Sequence, residues 1–326
     1  MSEIKEETKV KKQDNGEFKN RCYGIVLIKS ENSNFNADFT GNPRRLPDEN
    51  GTIYATDKAL KYAMRKYWVD NKENVFVWKT FKEDNGKYLP NTLEERYNNM
   101  KAKLNKNTPL EVFSECIDTK LFGITFAMKS GVEEDNKNIS LTGPVQISYG
   151  VNKYEENIIF ANDILSPYAT DSGDKSSTIG NENKAKEVCY VYDFVINPQN
   201  ILNHYEDNSE VQEKMKINTT DIDKLKEALK NAVTNLNTAS KIGSENILTL
   251  FIKMLEDSKK QIPTLKNFVK ISKEKGKTSV DLSTIAATLG KYRDDIENVE
   301  LVYDNDMITV EGRDKIIKKD QSNNTH

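Results

Sequence analysis

Apolar positions along the chain gather into short runs separated by long polar stretches. The first run, residues 22–28 (C-Y-G-I-V-L-I), lies in a strand predicted over residues 21–28. Its unbroken apolarity predicts burial on both faces, hence a central place in a sheet. Over residues 55–68 the spacing changes. Ala59, Leu60, Ala63, Met64 and Tyr67 recur with helical period, and Thr56 or Asp57 stands where a cap belongs. Residues 75–79 (V-F-V-W-K) read as a short strand. Residues 92–104 and 110–119 read as helices, the second following Pro109. Residues 121–128 (L-F-G-I-T-F-A-M) read as another buried strand. Residues 139–149 read as a turn at Gly143-Pro144 followed by alternating Val145, Ile147 and Tyr149.

Residues 150–187 break the pattern. They are long and irregular, and a segment of that length between strands is usually a functional excursion. The apolar run returns at 188–196 (V-C-Y-V-Y-D-F-V-I). Residues 221–236 form the clearest amphipathic helix, with Ile222, Leu225, Leu229, Ala232, Val233 and Leu236 on one face. Residues 247–255 fit a strand or a buried helix, and the reading here favours a strand. Residues 268–271 read as a strand, 282–292 as a helix, and 299–303 with 307–310 as a closing hairpin. The charged ends, 1–20 and 311–326, are predicted to be flexible tails around one domain at 21–310. This order fits the α+β class, an antiparallel sheet with helices on one face. The β-α-β-β-α-β arrangement, ferredoxin-like or RNA-recognition, is the natural candidate.

Composition narrows the function classes. The 326 residues are 36% hydrophobic and 30% charged, which suits a globular protein with a sizeable core. No apolar run is long enough for a membrane span and no signal-peptide core opens the chain. The expectation is therefore a cytoplasmic protein with no membrane partner. Cys22, Cys116 and Cys189 are scattered and odd in number, so no disulfide framework and no paired-cysteine zinc site is expected. His204 is the one internal histidine, which argues against histidine catalysis and histidine-rich metal sites. The P-loop, G-x-G-x-x-G and G-x-S-x-G motifs are absent. No catalytic residue, metal or cofactor is assigned. The net charge of −3 argues against bulk attraction to nucleic acid. Phosphate affinity depends on local cation placement, however, so the expectation becomes a basic track on an acidic body.

Four segments carry candidate chemistry. The polar loop after the first strand offers Lys29, Asn32, Ser33, Asn34, Asn36, Arg44 and Arg45, whose amides, hydroxyls and guanidinium groups suit phosphate or ribose. An ordinary Asn-rich turn has the same composition. Lys58, Lys61 and Arg65 stand three and four apart on one helix face, either as a phosphate track or as a solvated surface. Thr142, Gly143, Pro144 and Gln146 form a turn into a strand from which Gln146 can reach a base edge or a backbone group; a plain strand-entry turn explains them equally. The excursion 150–187 is a projecting hairpin or a loose loop. Asp38 and Asp57 raise the question of metal-assisted RNA cleavage. Helix capping accounts for Asp57, and no well-spaced second carboxylate joins Asp38.

Taken together, N-S-N-F-N-A-D before a basic helix, L-F-G-I-T-F-A, S-L-T-G-P-V-Q-I-S-Y-G, and S-S-T-I-G-N before V-C-Y-V-Y-D-F resemble the backbone subunit of type I CRISPR Cascade, in particular its I-B (Csh-type) branch. The resemblance runs over residues 21–200 and stays compatible to residue 310. Phe35 and Ala37 replace the Pro and Gly of the N-P-N-G-D loop usual in that family. The resemblance implies an RNA-recognition-like palm, an inserted helical region at 92–119 and a thumb at 150–187. It implies that copies stack along one CRISPR RNA beside other Cascade subunits, holding the sugar–phosphate backbone while the bases pair with target DNA. Two other readings remain: a type III-like backbone endonuclease using Asp38, and a stand-alone RNA-recognition-type binder.

Overall fold

In the computed structural model, which describes residues 16–127, 138–169, 177–202, 213–274 and 276–317, the strand Cys22–Ser33 lies between two antiparallel partners. One is the long strand Ser177–Ile196, with Cys22 opposite Ile196 and Ser33 opposite Ala185. The other is Ser244–Met254. The short strands Val145–Ile147 and Gly150–Asn152 pair with the far side of the long strand. Ile296–Tyr303 closes the opposite edge beside Ser244–Met254. With the helices Asp57–Asp70 and Thr219–Asn231, this is the β-α-β-β-α-β arrangement, strand order fourth, first, third, second, with Ile296–Tyr303 added at one edge and the short strand Tyr54–Ala55 at the other. The α+β antiparallel expectation holds.

Side-chain alternation along the central strand builds two cores. Cys22, Val26 and Ile28 face the helices, where Leu60, Met64, Trp68, Ile222, Leu225 and Leu229 are buried. Tyr23, Ile25 and Leu27 face the C-terminal segment, where Ile262, Leu265, Val280, Ile285 and Leu289 cover them. Each such aliphatic or aromatic side chain contributes about 1.5–3 kcal/mol on burial. A third cluster, around Phe76, Tyr97, Phe113 and Phe126, forms the core of the helical insertion. Cys22, Cys116 and Cys189 are free and buried, and burial raises all three thiol pKa values. No helix among the described residues is long and apolar enough to cross a membrane.

Several expectations need correction. Residues 75–79 are not a strand. The amides of Phe76 and Val77 donate instead to the buried Asp118 carboxylate, at 2.7 and 3.0 Å, so they cannot join a ladder. Residues 110–119 form two short helices, Pro109–Ser114 and Ile117–Phe122, broken around Cys116. Gly123–Ala127 pairs only with Asn138–Thr142, away from the palm sheet. A hairpin at Phe81–Asp84 and Lys87–Pro90 turns on Asn85 and Gly86, both at positive φ, a signal legible in the Asn-Gly pair. Of the two readings of 150–187, the described residues form the projecting hairpin and not a loose loop: Ile159–Ala169 pairs with the first half of Ser177–Ile196 in a ribbon that continues the palm strand outward. The closing hairpin does not form. Ile308–Glu311 runs parallel to Lys277–Asp281 in a separate small sheet. The tails are shorter than expected: Phe18 and Asn20 are buried, and Arg313–Ile317 is helical. Residues 1–15 and 318–326, His204 and residues 170–176 of the excursion lie outside the described residues.

Candidate nucleic-acid interface

The polar loop begins inside the sheet. The central strand runs on to Ser33, whose hydroxyl packs with those of Ser30 and Ser244 in a buried cluster. Asn34 is buried, and its Nδ2 donates to Gly41 O and Asn183 O, both at 2.9 Å. Phe35 is buried, with its ring centroid 5.8 Å from that of Tyr190. It anchors the loop where the family pattern has proline. Asp38 Oδ1 then accepts three hydrogen bonds, from Thr40 N, Thr40 Oγ1 and Asn42 N, at 2.8, 2.7 and 3.0 Å. These bonds hold its carboxyl below the ordinary range. Asp38 thus shapes the loop tip. Asn32, at positive φ, stays exposed.

The loop returns beside the first helix. Asn36 Oδ1 accepts from Thr56 N and Oγ1 at 2.9 and 3.0 Å, tying the loop to the helix cap. Arg44 Nε donates to Ala37 O at 3.1 Å. Arg45 spans two carbonyls, Gly51 O at 2.6 Å and Asn157 O at 2.8 Å. Lys241 enters from a distant part of the chain and donates to Asn34 O at 2.6 Å. Burial lowers its pKa. Neither Arg44 nor Lys241 makes an ion pair among the described residues; each is held by a backbone carbonyl. Together with Asn36, Thr56, Lys58, Tyr62 and Tyr149 they line a groove of about 450 Å³.

Two exposed aromatics sit in that groove, Tyr62 at 49% and Tyr149 at 47%. Tyr62 stacks on Trp78, with 5.5 Å between centroids. Tyr149 continues the alternation of Val145 and Ile147 in the sequence, which gives a core or a partner contact. Ile147 lies opposite Phe194 and Val151 opposite Val191, so Ser148, Tyr149 and Gly150 face only Tyr192 and Asp193. This bulge turns Tyr149 outward. Tyr23 and Phe126, by contrast, are buried.

The other proposed contacts are employed within the fold. Lys29 pairs with Glu31 and Glu187 at 3.2 and 3.4 Å. Lys61 pairs with Asp57 at 3.3 Å and lies over the Phe122 ring. Arg65 pairs with Asp118 at 2.9 Å. Of the helix face, Lys58 alone is freely exposed, at 81% of its side chain, although Asp57 lies 3.2 Å from it. Thr142 ends a strand of the insertion and pairs with Gly123. Pro144 is buried and its carbonyl accepts from Asn197 N at 2.9 Å; Gln146 Nε2 donates back to Gly143 O at 2.8 Å. The sequence reading missed Tyr62, Tyr149 and Lys241. Tyr62, four residues after Lys58, was legible as an aromatic among cations. Lys241 had no local signal.

The bulge is pinned by Asp193, whose amide donates to Ser148 Oγ at 3.0 Å. Burial pushes the Asp193 carboxyl up to about 6. Its unfolded value is near 4, so the folded state binds this proton more tightly. This group therefore favours folding at low pH, and that stability is lost as pH rises from about 4 through about 6, a change of roughly 2–3 kcal/mol. Asp193→Asn is expected to remove that portion of the pH dependence and to be more stable than the parent at pH 7. Urea unfolding at pH 4.5 and 7 measures it; an unchanged difference between the two pH values would contradict the assignment.

The profile of the family described as CRISPR-associated protein Cas7 matches residues 20–292. No curated protein matches the chain. One solved chain described as "CRISPR RNA-guided surveillance complex" is similar in structure, with TM-score 0.48, 12% identity, and 87% of this chain and 90% of that chain covered. Another, "CRISPR RNA-guided surveillance complex, pre-nicking", gives TM-score 0.47, 12% identity, and coverage of 89% and 95%.

Proposed function

The chain belongs to the Cas7 family of CRISPR-associated proteins, and from that membership we propose that it is a guide-holding backbone subunit of a Cascade-type surveillance complex, of the I-B branch. On this reading it works in the cytoplasm beside other Cascade subunits. Copies line up along the CRISPR RNA, each gripping sugar and phosphate and leaving the bases free to pair with target DNA. The supporting observation is the groove. On a chain of net charge −3, Arg44 and Lys241 are set by backbone carbonyls rather than carboxylates, which keeps their charge available to a phosphate. Tyr62 and Tyr149 add flat faces for a single-stranded nucleotide.

The alternatives fare less well. The sheet face opposite the helices, which a stand-alone RNA-recognition domain keeps open for stacking, is covered by the C-terminal segment. Asp38 is accounted for by the loop bonds it accepts, so the proposal is that the chain holds RNA without cutting it. Arg44→Ala combined with Lys241→Ala is expected to weaken RNA binding at least tenfold at low salt, equally for unrelated sequences, and to reduce the salt slope by about 2. Filter binding over a salt series, with RNA integrity checked in magnesium, tests this. A loss confined to one RNA sequence, or RNA cleaved by the purified parent, would refute the reading.

A further inference from the structure

Among the described residues the most exposed large hydrophobic side chain is Phe39, at 99%. It stands at the tip of the polar loop, in D-F-T-G-N over residues 38–42. The tip is closed as a small hairpin. Ala37 bridges Pro43, Asp38 N donates to Asn42 O at 2.7 Å, and Gly41 N donates to Asp38 O at 3.3 Å. Asp38 Oδ1 fills the turn from within by accepting from Thr40 and Asn42. Gly41, at φ +86, supplies the left-handed residue that the turn requires. Buried Asn34 and Phe35 fix the root of the loop. The space around the tip is open: a Cβ at Gly41 would meet nothing within 4 Å. Single exposed apolar residues are ordinary on a protein surface, but the next most exposed here, Tyr88, is at 75%. Phe39 adds nothing to the packing of its own chain, although the backbone beneath it is held at every step. A bare ring on a fixed turn is ordered in advance for a contact outside the chain.

We propose that Phe39 is a base-stacking residue, its ring packing on a nucleobase of the single strand whose sugar–phosphate backbone lies in the groove. The inference rests on the guide-holding reading above. Position selects the partner. Asn36 and Arg44, which line the groove, are the two stems of this hairpin, and Arg44 N donates to Asn36 O at 3.3 Å. Three residues separate Asn36 from Phe39, at most about 11 Å of chain. A strand whose phosphate meets Arg44 therefore has neighbouring bases within reach of the ring. Chemistry selects it as well. The rest of the tip is Asp, Thr, Gly and Asn, so the ring has no apolar neighbours with which to form the core of a protein interface. A base asks for one flat face only. Every base has such a face, so the contact is indifferent to sequence, and it leaves the pairing edge free.

The test uses the full chain and a short single-stranded RNA, with affinity read by fluorescence anisotropy over a salt series. Phe39→Ala is expected to leave the urea unfolding midpoint unchanged, because the ring is bare, and to weaken RNA binding at least about fivefold. The salt slope stays that of the parent, since no phosphate partner is lost. Phe39→Trp keeps the parent affinity within about twofold, while Phe39→Leu, apolar but not flat, loses as much as alanine. The same RNA made abasic is penalised less in Phe39→Ala than in the parent, by the factor that the substitution costs on intact RNA. Equal binding of intact RNA by Phe39→Ala and the parent overturns the inference alone; if that variant also loses self-association without RNA, the ring belongs to a second copy. A reduced salt slope overturns it too, because the loss then runs through phosphate. A parent chain that binds no RNA overturns the guide-holding reading and this inference with it.

Discussion

Gly143→Ala is expected to abolish stable folding. A Cβ at residue 143 would lie 2.2 Å from Gly123 N, 2.3 Å from Phe122 C and 2.4 Å from Leu121 O. All three atoms are backbone, so no rotamer change relieves the overlap. The relation is mutual. Gly123 has φ +77, and its Cβ would meet Leu141 O at 2.1 Å and Gly143 N at 2.4 Å. The two glycines therefore let the end of the helix Ile117–Phe122 pass directly over the turn that feeds Val145–Ile147 into the palm. Separating them shifts the strand that carries the bulge and Tyr149. The expected cost exceeds about 4 kcal/mol, a large part of the roughly 5–15 kcal/mol that holds a typical domain together. Soluble yield and urea unfolding measure it. Gly290→Ala, where nothing lies within 4 Å, is the control and is expected to be neutral or slightly stabilising. A Gly143→Ala variant within about 1 kcal/mol of the parent would show that the helix can slide aside.

The contrast between these glycines and the loop shows which parts of the molecule the sequence reveals. The central strand, the strand at 188–196 and the helix Thr219–Asn231 were legible because burial is written into their local period. The projecting hairpin at 150–187 was one of two readings, and its strand bounds were not legible, because residues such as Ile164 and Leu165 are exposed and no buried face imposes alternation. Residues 75–79 have strand composition but no strand partner, since Asp118, some forty positions later, takes their amides. The site divides in the same way. Asn36, Arg44 and Lys58 could be picked out because they flank one loop and one helix cap. That Arg65 is tied down was hidden, because its clamp comes from Asp118; the partner of Lys61, Asp57 four residues earlier, was local but was read only as a cap. Lys241 reaches Asn34 across most of the chain, and its role exists only once the sheet is formed. The T-G-P-V-Q stretch also meets a backbone requirement that the sequence reading did not see: two pieces of backbone nearly touch at Gly143.

Asp118→Ala is expected to destabilise the chain by about 3–5 kcal/mol, because it strands three donors at once. The side chain is fully buried. Oδ1 accepts from Phe76 N at 2.7 Å, while Oδ2 accepts from Val77 N at 3.0 Å and Arg65 Nε at 2.9 Å. Alanine leaves two amides without acceptors and a largely buried guanidinium without its counter-charge. The position of Arg65 makes the loss functional as well as structural. Arg65 lies on the helix Asp57–Asp70, over the Phe122 ring at 5.5 Å, and that helix carries Lys58 and Tyr62 into the groove. Asp118 therefore joins three things: the helical insertion, the strandless segment at 75–77 and the helix that borders the proposed RNA path. Arg65→Ala added to Asp118→Ala removes the uncompensated charge, so the double variant should be more stable than the sum of the single losses predicts, by at least about 1 kcal/mol. Urea unfolding of the four proteins at pH 7 gives that coupling. Additive losses would mean that the guanidinium finds water when its partner is gone, and that the helix is held by apolar packing of its own Trp68 on Phe122 rather than by the buried pair.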